Sequence, residues 1–388
     1  MGRFRDALAA PGLSAIAEFK RRSPSAGDIR PGARVEEIVP GYAAAGAAAI
    51  SVLVDERFGG TIGDLVAARA ATNTPLLAKG FFSTEDHLVE LRDAGADAVL
   101  LILRDLDDAT TAHLLARAHA FGLDALVEAH NANELDRAIA LQAPIVGVNA
   151  RDLSTFRIDR KQQLALVARA ARDTFVVIAE SGVQSRAQCA AAELAGADAV
   201  LVGSSLMRAE DPPAKLRELL SRPLVKVCGL TRQEDVDVAV DAGADLLGFV
   251  LVEKSPRRAP AVLDVPDTAL SVAVFVGEPE PTSADLVQLY TDDGGGTVRG
   301  REAVLLRDGE PVARLLDQPW EGSDPAHWRA AAAAEGRIIL AGGLGPENVR
   351  AAIEAVRPWG VDASSSLETA PGIKDHARVR AYVEEAHR

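Results

Sequence analysis

Acidic and basic side chains recur at the ends of apolar segments in this chain, and such side chains suit acid–base chemistry. The first case is Glu18 and Lys20, which follow the apolar run over residues 13–17. If this run is a strand, both residues lie on one face, because side chains two positions apart point the same way. A surface ion pair at a strand end would contribute little, so the argument depends on whether the pattern recurs.

Later apolar segments end in the same kinds of residue. A lysine at such a place can act as an acid or hold a carboxylate, and a glutamate can act as a base. A purely structural ion-pair network would seldom place so many charged residues at the ends of the strands. We therefore interpret these strand ends as a candidate catalytic mouth, the open end of a barrel where substrate binds. Its members are Glu18, Lys20, Lys79, Glu128, Asn149, Arg151, Glu180 and Ser181.

The segments that carry these residues have the pattern of buried parallel strands. Each is a near-continuous apolar run, which is typical of a parallel sheet covered on both faces. Ala-rich helical patterns, such as residues 84–94, 109–121 and 187–195, lie between them. The predicted strands cover residues 14–20, 48–55, 75–79, 98–103, 124–129, 145–151, 175–181 and 199–204.

An internal repeat indicates how these strands are arranged. Gly46, Gly95, Gly196 and Gly243 each stand in an Ala-Gly-Ala sequence that closes a helical pattern just before a strand. Their spacing is a near-multiple of about 25 residues, the length of one βα unit in an eightfold barrel. A doubly wound sheet is the competing architecture, but the glycine-rich turn after its first strand is missing. We predict an α/β protein of two tandem (β/α)8 barrels, residues 1–221 and 222–388.

Two glycine- and serine-containing loops follow the seventh and eighth predicted strands. They are the sequences that begin at Glu180 (Glu-Ser-Gly-Val) and at Gly203 (Gly-Ser-Ser). In such barrels phosphate commonly binds at these two places, because small residues let backbone N–H groups approach an anion. A tight turn is the plainer explanation for either loop alone, but the two together predict a phosphate site.

Length, charge and cysteine content exclude several classes of protein. A chain of 388 residues suits two domains, and a net charge of −14 disfavours binding to nucleic acid or anionic membranes. Two cysteines give no disulfide framework and fit a reducing cytoplasm. No apolar stretch reaches transmembrane length, and the first ten residues lack the apolar region of a signal peptide. We expect a cytoplasmic monomer.

The first half resembles indole-3-glycerol phosphate synthase over residues 4–220. The resemblance rests on four motifs in the same order: Glu-Phe-Lys-Arg-Arg-Ser-Pro-Ser from Glu18, Ser-Val-Leu-Val-Asp-Glu-Arg-Phe-Gly-Gly from Ser51, Val-Asn-Ala-Arg-Asp-Leu from Val148, and Glu-Ser-Gly from Glu180. It implies ring closure of 1-(2-carboxyphenylamino)-1-deoxyribulose 5-phosphate, with loss of CO₂ and then of water. No metal or organic cofactor is implied.

The same resemblance implies roles for individual residues. Lys79 resembles the general acid and Glu128 its carboxylate partner. Lys20 is placed to hold the anthranilate carboxylate until it leaves as CO₂, with Glu18 and Asn149 orienting. Ser23, Gly182, Gly203 and Ser204 resemble the phosphate cradle, and the other implied substrate-binding residues are Phe58, Phe81, Arg151, Glu180 and Ser181.

Two departures from the family pattern bear on this activity. The family usually has Lys-Asp-Phe where this chain has Lys79, Gly80 and Phe81, so an acidic neighbour of the lysine is missing. The family also usually carries a longer helical N-terminal extension over the barrel mouth. Only about a dozen residues precede the first predicted strand here. We expect substrate affinity or closure of the mouth to be affected.

The second half resembles phosphoribosylanthranilate isomerase, which acts one step earlier and is sometimes fused to the synthase. The motifs that carry this resemblance are Lys-Val-Cys-Gly-Leu-Thr from Lys226, Ser-Pro-Arg from Ser255, Leu-Leu-Asp from Leu315, Ala-Gly-Gly-Leu from Ala341, Val-Asp-Ala-Ser-Ser-Ser-Leu-Glu from Val361 and Pro-Gly-Ile-Lys-Asp from Pro371. The implied reaction is an Amadori rearrangement, which needs one acid and one base on opposite sides of the sugar.

The resemblance makes Cys228 the base and Asp317 the acid of this reaction. A buried small hydrophobe is the commoner fate of a free cysteine, and a working base must lose its proton more readily than a free thiol. For Asp317 the plainer explanation is a capped loop. The implied substrate-binding residues are Arg257, Gly342, Gly343, Asp362, Ser364 and Ser365.

The second barrel is predicted to be trimmed around its strands 4 to 6. Residues 276–317 must supply all three strands, yet no amphipathic helix of ten residues occurs there. Residues 291–296 have the composition of a loop, and residues 307–310 that of a hairpin turn. Tyr290 stands where the family has His, and residues 318–327 replace a glycine-rich loop. We expect an incomplete or irregular wall.

Three functions remain open at this point. The chain can be a bifunctional enzyme with phosphorylated small-molecule substrates, or a monofunctional synthase whose second barrel is a scaffold. It can also be a protein that binds a phosphorylated sugar without turnover. Acid–base residues retained in both predicted mouths argue against the third.

Overall fold

The chain forms two compact units, each built on its own barrel of eight strands. The computed structural model describes residues 2–23, 27–151, 157–171, 176–291, 301–317 and 326–388. One unit comprises Met1–Gln184 with Cys189–Leu220, and the other comprises Ser185–Gln188 with Ser221–Arg388. Both barrels close, which confirms the predicted fold class.

The first barrel is entirely parallel. Its first strand pairs with the second strand on one side and with the eighth on the other, where Ser14 lies opposite Ala199. The strands are continuous apolar segments with no outward polar face because helices cover the ring. They are β1 (Ser14–Phe19), β2 (Ala49–Leu53), β3 (Leu76–Lys79), β4 (Ala98–Ile102), β5 (Asp124–Ala129), β6 (Ile145–Asn149), β7 (Val176–Glu180) and β8 (Ala199–Val202).

Helices follow the strands with local start and stop signals that agree with the sequence. Thr61, Thr84, Asp107 and Asn131 each accept a hydrogen bond at a helix N-terminus. The helices are α1 (Arg3–Leu8), α2 (Val35–Ala44), α3 (Ile62–Ala71), α4 (Glu85–Asp93), α5 (Asp108–Ala120), α6 (Ala132–Ala140), α7 (Arg160–Ala170), α8 (Arg186–Leu194), α9 (Ser204–Arg208) and α10 (Pro212–Leu220), with a 3₁₀ turn at Glu56–Phe58 and a short ribbon of Arg22–Ser23 with Gly27–Asp28.

Helix α1 lies at the N-terminal end of the barrel strands, opposite the predicted mouth. The backbone N–H of Arg5 donates to Asp124, the first residue of β5. Phe4 and Leu8 are completely buried and pack in the same apolar cluster as barrel-interior residues such as Ile16. The residues that precede β1 therefore plug the N-terminal end of the strands rather than covering the mouth.

One strand of the second barrel runs in the opposite direction to the other seven. Its strands are β9 (Leu224–Cys228), β10 (Leu246–Val250), β11 (Leu270–Val276), β12 (Leu286–Tyr290), β13 (Arg301–Arg307), β14 (Glu310–Asp317), β15 (Ile338–Ala341) and β16 (Gly360–Ala363). Strand β13 runs antiparallel to both neighbours, whereas the other neighbouring pairs are parallel. The helices are α11 (Gln233–Ala242), α12 (Ala326–Ala332), α13 (Val349–Val356) and α14 (His376–His387); a 3₁₀ turn at Ser365–Leu367 and a ribbon of Glu368–Ala370 with Ile373–Lys374 follow β16.

The reversed strand explains how the trimmed wall still closes. Two parallel strands need a crossover of a dozen or more residues, whereas two antiparallel strands can be joined by a two-residue hairpin. Asp308 and Gly309 form that hairpin with positive φ angles of 51° and 84°, and Arg307 pairs with Glu310. The predicted turn is confirmed. The predicted loop at residues 291–296 lies, beyond Thr291, outside the described residues, as do residues 318–325.

Within the described ranges, no helix is long and apolar enough to cross a membrane.

Candidate functional site

A cavity of about 660 Å³ opens at the C-terminal ends of the first barrel's strands. This is the end at which parallel barrels carry their active sites. The structure brings nearly all of the predicted residues of this half together there. The predicted residues that line the cavity are Glu18, Lys20, Ser23, Phe58, Lys79, Phe81, Glu128, Asn149, Arg151, Ser181, Gly182, Gly203 and Ser204.

Lys79 lies at the centre of three carboxylates. Its Nζ is 2.5 Å from Glu180 Oε2, 3.6 Å from Glu128 Oε2 and 3.7 Å from Glu18 Oε2. The sequence interpretation paired Lys79 with Glu128, but the nearest carboxylate is Glu180, which is completely buried beneath the cavity. Gly147 makes room for it, because a Cβ at this position would lie 2.0 Å from Glu180 Oε1.

Burial and mutual charge set the protonation states of this cluster. Burial lowers the pKa of Lys79, but Glu180, Glu128 and Glu18 outweigh it and hold that pKa above its ordinary value. Burial raises the pKa of Glu180; Lys79 opposes the shift and the Glu128 charge adds to it. Burial also raises the pKa of Glu128, but Lys79 and His130 outweigh burial and lower that pKa below its ordinary value. Lys79 and Glu128 are therefore charged at neutral pH, and Glu180 holds a proton longest.

Glu18 and Lys20 form a second ion pair at the rim. Their side chains are 2.7 Å apart and mostly buried, so this is not the surface pair considered from sequence. Burial raises the pKa of Glu18, but the charges of Lys20 and Lys79 bring it below its ordinary value. Gly203 permits this arrangement, because a Cβ there would lie 2.2 Å from Glu18 Oε1.

Two aromatic rings form an apolar side of the cavity. Phe58 and Phe81 stack with ring centroids 6.4 Å apart, and the Arg57 guanidinium lies 3.8 Å from the Phe81 centroid. Gly80 is tightly enclosed, since a Cβ there would meet the Phe82 ring at 2.8 Å. An aspartate at this position would require Phe82 to move.

The two predicted phosphate loops lie in the same cavity. Ser181 and Gly182 have positive φ angles of 73° and 77°, and Gly203 precedes the short helix α9. Asn149 lies at the end of β6, where its Oδ1 accepts from the backbone N–H of Arg151 at 3.0 Å. Arg208 and Lys215 also line the cavity. The sequence interpretation missed both, because they lie on helices beyond the strand ends.

His130 is a further residue that the sequence interpretation missed. Its Nε2 lies 3.1 Å from Glu128 Oε1, and its Nδ1 lies 3.0 Å from Glu134 Oε2. The available signal was its position two residues after Glu128, on the same face at a strand end. Burial lowers the pKa of His130, but the two glutamates outweigh it and raise that pKa to about 9.

The second barrel also collects its predicted residues at the C-terminal strand ends. Lys226 is completely buried, and its Nζ donates to Asp362 Oδ2 at 2.8 Å. Cys228 lies next to this pair at the end of β9. Burial raises the pKa of the Cys228 thiol, and Asp362 adds to the rise, while Lys226 and Lys374 oppose it. In this arrangement the thiol therefore holds its proton more tightly than a free cysteine does.

Arg257 is held by a carboxylate in the same mouth. Its guanidinium contacts Glu368 at 2.9 Å, and Lys374 Nζ contacts the other Glu368 oxygen at 2.9 Å. Lys374 also donates to the backbone carbonyl of Ser364 at 3.1 Å. Ser365 starts the 3₁₀ turn after β16, and the loop after β15 carries Gly342 and Gly343 with φ angles of 95° and 67°.

Asp317 is bound by Tyr290, a residue that the sequence analysis expected to stand in place of a histidine. The Tyr290 hydroxyl donates to Asp317 Oδ2 at 3.1 Å and accepts from Gln288 Nε2 at 2.9 Å. Burial raises the pKa of Tyr290, and the nearby charges of Asp317, Asp362 and Cys228 raise it further. Tyr290 is therefore a neutral hydrogen-bond donor to Asp317.

No cluster of three or more His, Cys, Asp or Glu side chains in the described part of the chain has an arrangement that could hold a metal ion.

Comparison with known proteins finds two families in the chain. Residues 2–219 match the family model of indole-3-glycerol phosphate synthase. Residues 326–385 match that of N-(5'-phosphoribosyl)anthranilate isomerase. The second match includes both glycine- and serine-containing loops of the second barrel, but it excludes Cys228 and Asp317.

Individual relatives agree with these matches. Indole-3-glycerol phosphate synthase 2 of Streptomyces coelicolor is 45% identical over 218 residues, which are 56% of this chain and 84% of that protein. A multifunctional tryptophan biosynthesis protein of Schizosaccharomyces pombe is 32% identical over 95% of this chain, which spans only 58% of that protein. The solved phosphoribosyl anthranilate isomerase of Thermotoga maritima is 27% identical and covers 43% of this chain and 99% of its own, with a TM-score of 0.34.

Proposed function

Because the chain belongs to the indole-3-glycerol phosphate synthase family, we propose that it catalyses two consecutive steps of tryptophan biosynthesis. The second barrel, from residue 222, isomerises N-(5-phosphoribosyl)anthranilate to 1-(2-carboxyphenylamino)-1-deoxyribulose 5-phosphate. The first barrel, residues 1–221, converts that product to indole-3-glycerol phosphate, CO₂ and water. The observation that carries the proposal is the Lys79 ammonium among three buried carboxylates in a cavity that also holds two phosphate-type loops.

In the first barrel Lys79 is the general acid. Its raised pKa keeps it protonated, which is the state in which it must meet the substrate carbonyl and later the departing hydroxyl. Glu128 stays ionised and acts as the base in the dehydration step. Glu180 orients Lys79 through the 2.5 Å contact.

The other cavity residues hold the substrate. Lys20 binds the anthranilate carboxylate, with Glu18 and Asn149 orienting it, and Phe58 and Phe81 contact the aromatic ring. The phosphate binds at the open end of the cavity, where backbone N–H groups and cations converge. The residues assigned to it are Ser23, Arg151, Ser181, Gly182, Gly203 and Ser204.

In the second barrel Cys228 is the base and Asp317 the acid of the Amadori rearrangement. Ring opening requires a proton on the ribose oxygen, and the following step removes a proton from the adjacent carbon. Arg257 and Asp362 contact the substrate, and its phosphate binds at Gly342, Gly343, Ser364 and Ser365, the segment that falls within the matched region.

A monofunctional synthase with a scaffold second barrel is the alternative. Two observations favour it: the pKa of Cys228 is raised, and Tyr290 donates a hydrogen bond to Asp317. A donor of this kind stabilises the carboxylate form, whereas an acid must begin protonated.

Separate assays of the two reactions on the purified chain decide between these functions. Ring closure is followed by the appearance of indole fluorescence, and isomerisation by the loss of phosphoribosylanthranilate fluorescence above the spontaneous rate. We expect both. Ring closure alone would establish the scaffold alternative, and neither activity would leave a binding protein. We further propose that the enzyme is a cytoplasmic monomer that needs no cofactor.

A further inference from the structure

His130 and Glu134 form a buried chain of titratable groups behind Glu128. His130 Nε2 lies 3.1 Å from Glu128 Oε1, and His130 Nδ1 lies 3.0 Å from Glu134 Oε2. The side chains of Glu128, His130 and Glu134 are 4%, 8% and 12% exposed. The exposed fraction of the side chain therefore increases from Glu128 through His130 to Glu134, which lies on helix α6. None of the roles proposed above uses His130 or Glu134.

The proposed ring closure consumes one proton from solvent in each turnover. One proton goes to the substrate carbonyl oxygen when the carbon–carbon bond forms, and a second goes to the hydroxyl that leaves as water. One proton returns to the enzyme when the indole ring becomes aromatic. The carboxylate leaves as neutral CO₂ and supplies no proton. Each turnover therefore uses one proton more than it releases, and solvent must supply it.

We propose that His130 and Glu134 return this proton to the cluster through Glu128. The step rests on the proposed synthase function. Imidazolium His130 gives its Nε2 proton to the Glu128 carboxylate, and Glu128 passes it across the 3.6 Å gap to Lys79 once Lys79 has become a neutral amine. His130 is then neutral, with its remaining proton on Nδ1; a half-turn of the ring brings the bare nitrogen to Glu134, which gives it a proton and takes one from water at the outer edge. No bond other than N–H and O–H is made or broken.

The surrounding charges suit this direction of transfer. Lys20 pairs with Glu18, Lys79 with Glu128, and His130 with Glu134, so the cluster is neutral when Glu180 holds its proton. A proton that enters through Glu134 therefore meets no net positive charge in the cluster.

His130→Gln tests the path, because glutamine keeps a polar amide at the site but cannot carry a proton. Direct access of water through the mouth remains, so we expect kcat for ring closure to fall about tenfold rather than by the larger factor of a lost catalytic acid. The rate of the variant should rise with added imidazole towards the wild-type value. Pyrazole, a ring of the same shape and much lower basicity, should give no rescue. A merely structural defect would not distinguish the two rings.

His113→Gln is the matched control. His113 contacts Glu85 at 2.7 Å on the outer helices, so its replacement should leave kcat unchanged. If His130→Gln does not fold, Glu134→Gln interrupts the same path at its outer end and should show the same imidazole dependence. Wild-type kcat in either folded variant, or a loss that imidazole and pyrazole affect equally, would overturn the path alone. A wild-type chain that makes no indole product would overturn the synthase function itself.

Discussion

At the scale of single residues, Lys79 has the most directly testable role in the proposal. Lys79→Ala should lower the rate of indole-3-glycerol phosphate formation by about 10²–10⁴-fold, the usual cost of a lost general acid. Its removal also leaves Glu18, Glu128 and Glu180 without their shared cation. Indole fluorescence is the measurement. Lys254→Ala, at an exposed lysine of the second barrel, is the matched control and should keep the full rate. An undiminished rate in Lys79→Ala would contradict the assignment.

His130 should also make the free energy of unfolding depend on pH. Its pKa is raised from 6.5 to about 9 in the folded protein, so the folded state binds the proton more tightly than the unfolded state. The resulting stabilisation is fully present below pH 6.5 and is lost as the pH rises through about 9. The free energy of unfolding of the wild type, minus that of His130→Gln, should therefore fall over this range, by on the order of 3 kcal/mol. Denaturant unfolding at pH 6 and pH 10 measures it, and a constant difference would contradict the ion pairs seen here.

At the scale of elements, the loop between β8 and α9 is one of the two loops that we propose to bind phosphate. Any side chain at Gly203 would collide with Glu18, since a Cβ would lie 2.2 Å from its Oε1. Gly203→Glu would also place a carboxylate where the anion binds, and it should weaken competitive inhibition by inorganic phosphate at least tenfold, or about 1.4 kcal/mol. Ser204→Ala should change the inhibition constant much less, because the proposal has backbone N–H groups supply most of the contacts. Equal constants in the wild type and Gly203→Glu would place the site elsewhere.

The hairpin between β13 and β14 makes a prediction about the second barrel. Gly309 has a φ of 84°, and no atom of the described residues lies within 4 Å of the place that a Cβ would occupy, so substitution there costs backbone strain without a clash. Gly309→Ala should lower the free energy of unfolding by roughly 1 kcal/mol. Asp308→Gly, one residue earlier at a φ of 51°, should not destabilise in this way and serves as the matched variant. A neutral Gly309→Ala would mean that the turn relaxes to another form.

At the scale of the whole molecule, the two activities should respond independently to substitution. Lys79 and Cys228 belong to different barrels, each with its own ring of strand ends, and the effects of substitutions that share no contact partner usually add. Lys79→Ala should therefore slow ring closure and leave isomerisation unchanged, while Cys228→Ser should slow isomerisation and leave ring closure unchanged. Assaying both reactions on each variant checks this. Loss of both activities in either variant would show that one mouth serves both reactions or that the substitution unfolds the chain.

The sequence by itself determined most of the architecture and the membership of the first mouth. Strand and helix positions follow from local patterns of apolar residues, and the observed strands of the first barrel agree with the predicted segments to within one or two residues. Polar residues at strand ends meet in a closed ring regardless of detail, because all C-terminal ends of a parallel barrel face the same way. The hairpin at residues 307–310 was equally local, since its turn needs residues that accept a positive φ.

Only the tertiary structure decided the direction of β13, the place of helix α1 and the partners within each mouth. Alternation of side chains is the same for a strand read in either direction, so the pattern cannot show that β13 is reversed. The nearest carboxylate to Lys79 is Glu180 rather than Glu128 because distances across a barrel depend on strand tilt and stagger. The raised pKa of Cys228 and the contact of His130 with Glu128 come from burial and from charges on distant parts of the chain. No segment of sequence contains that information, because each of these properties is a sum over neighbours that only folding brings together.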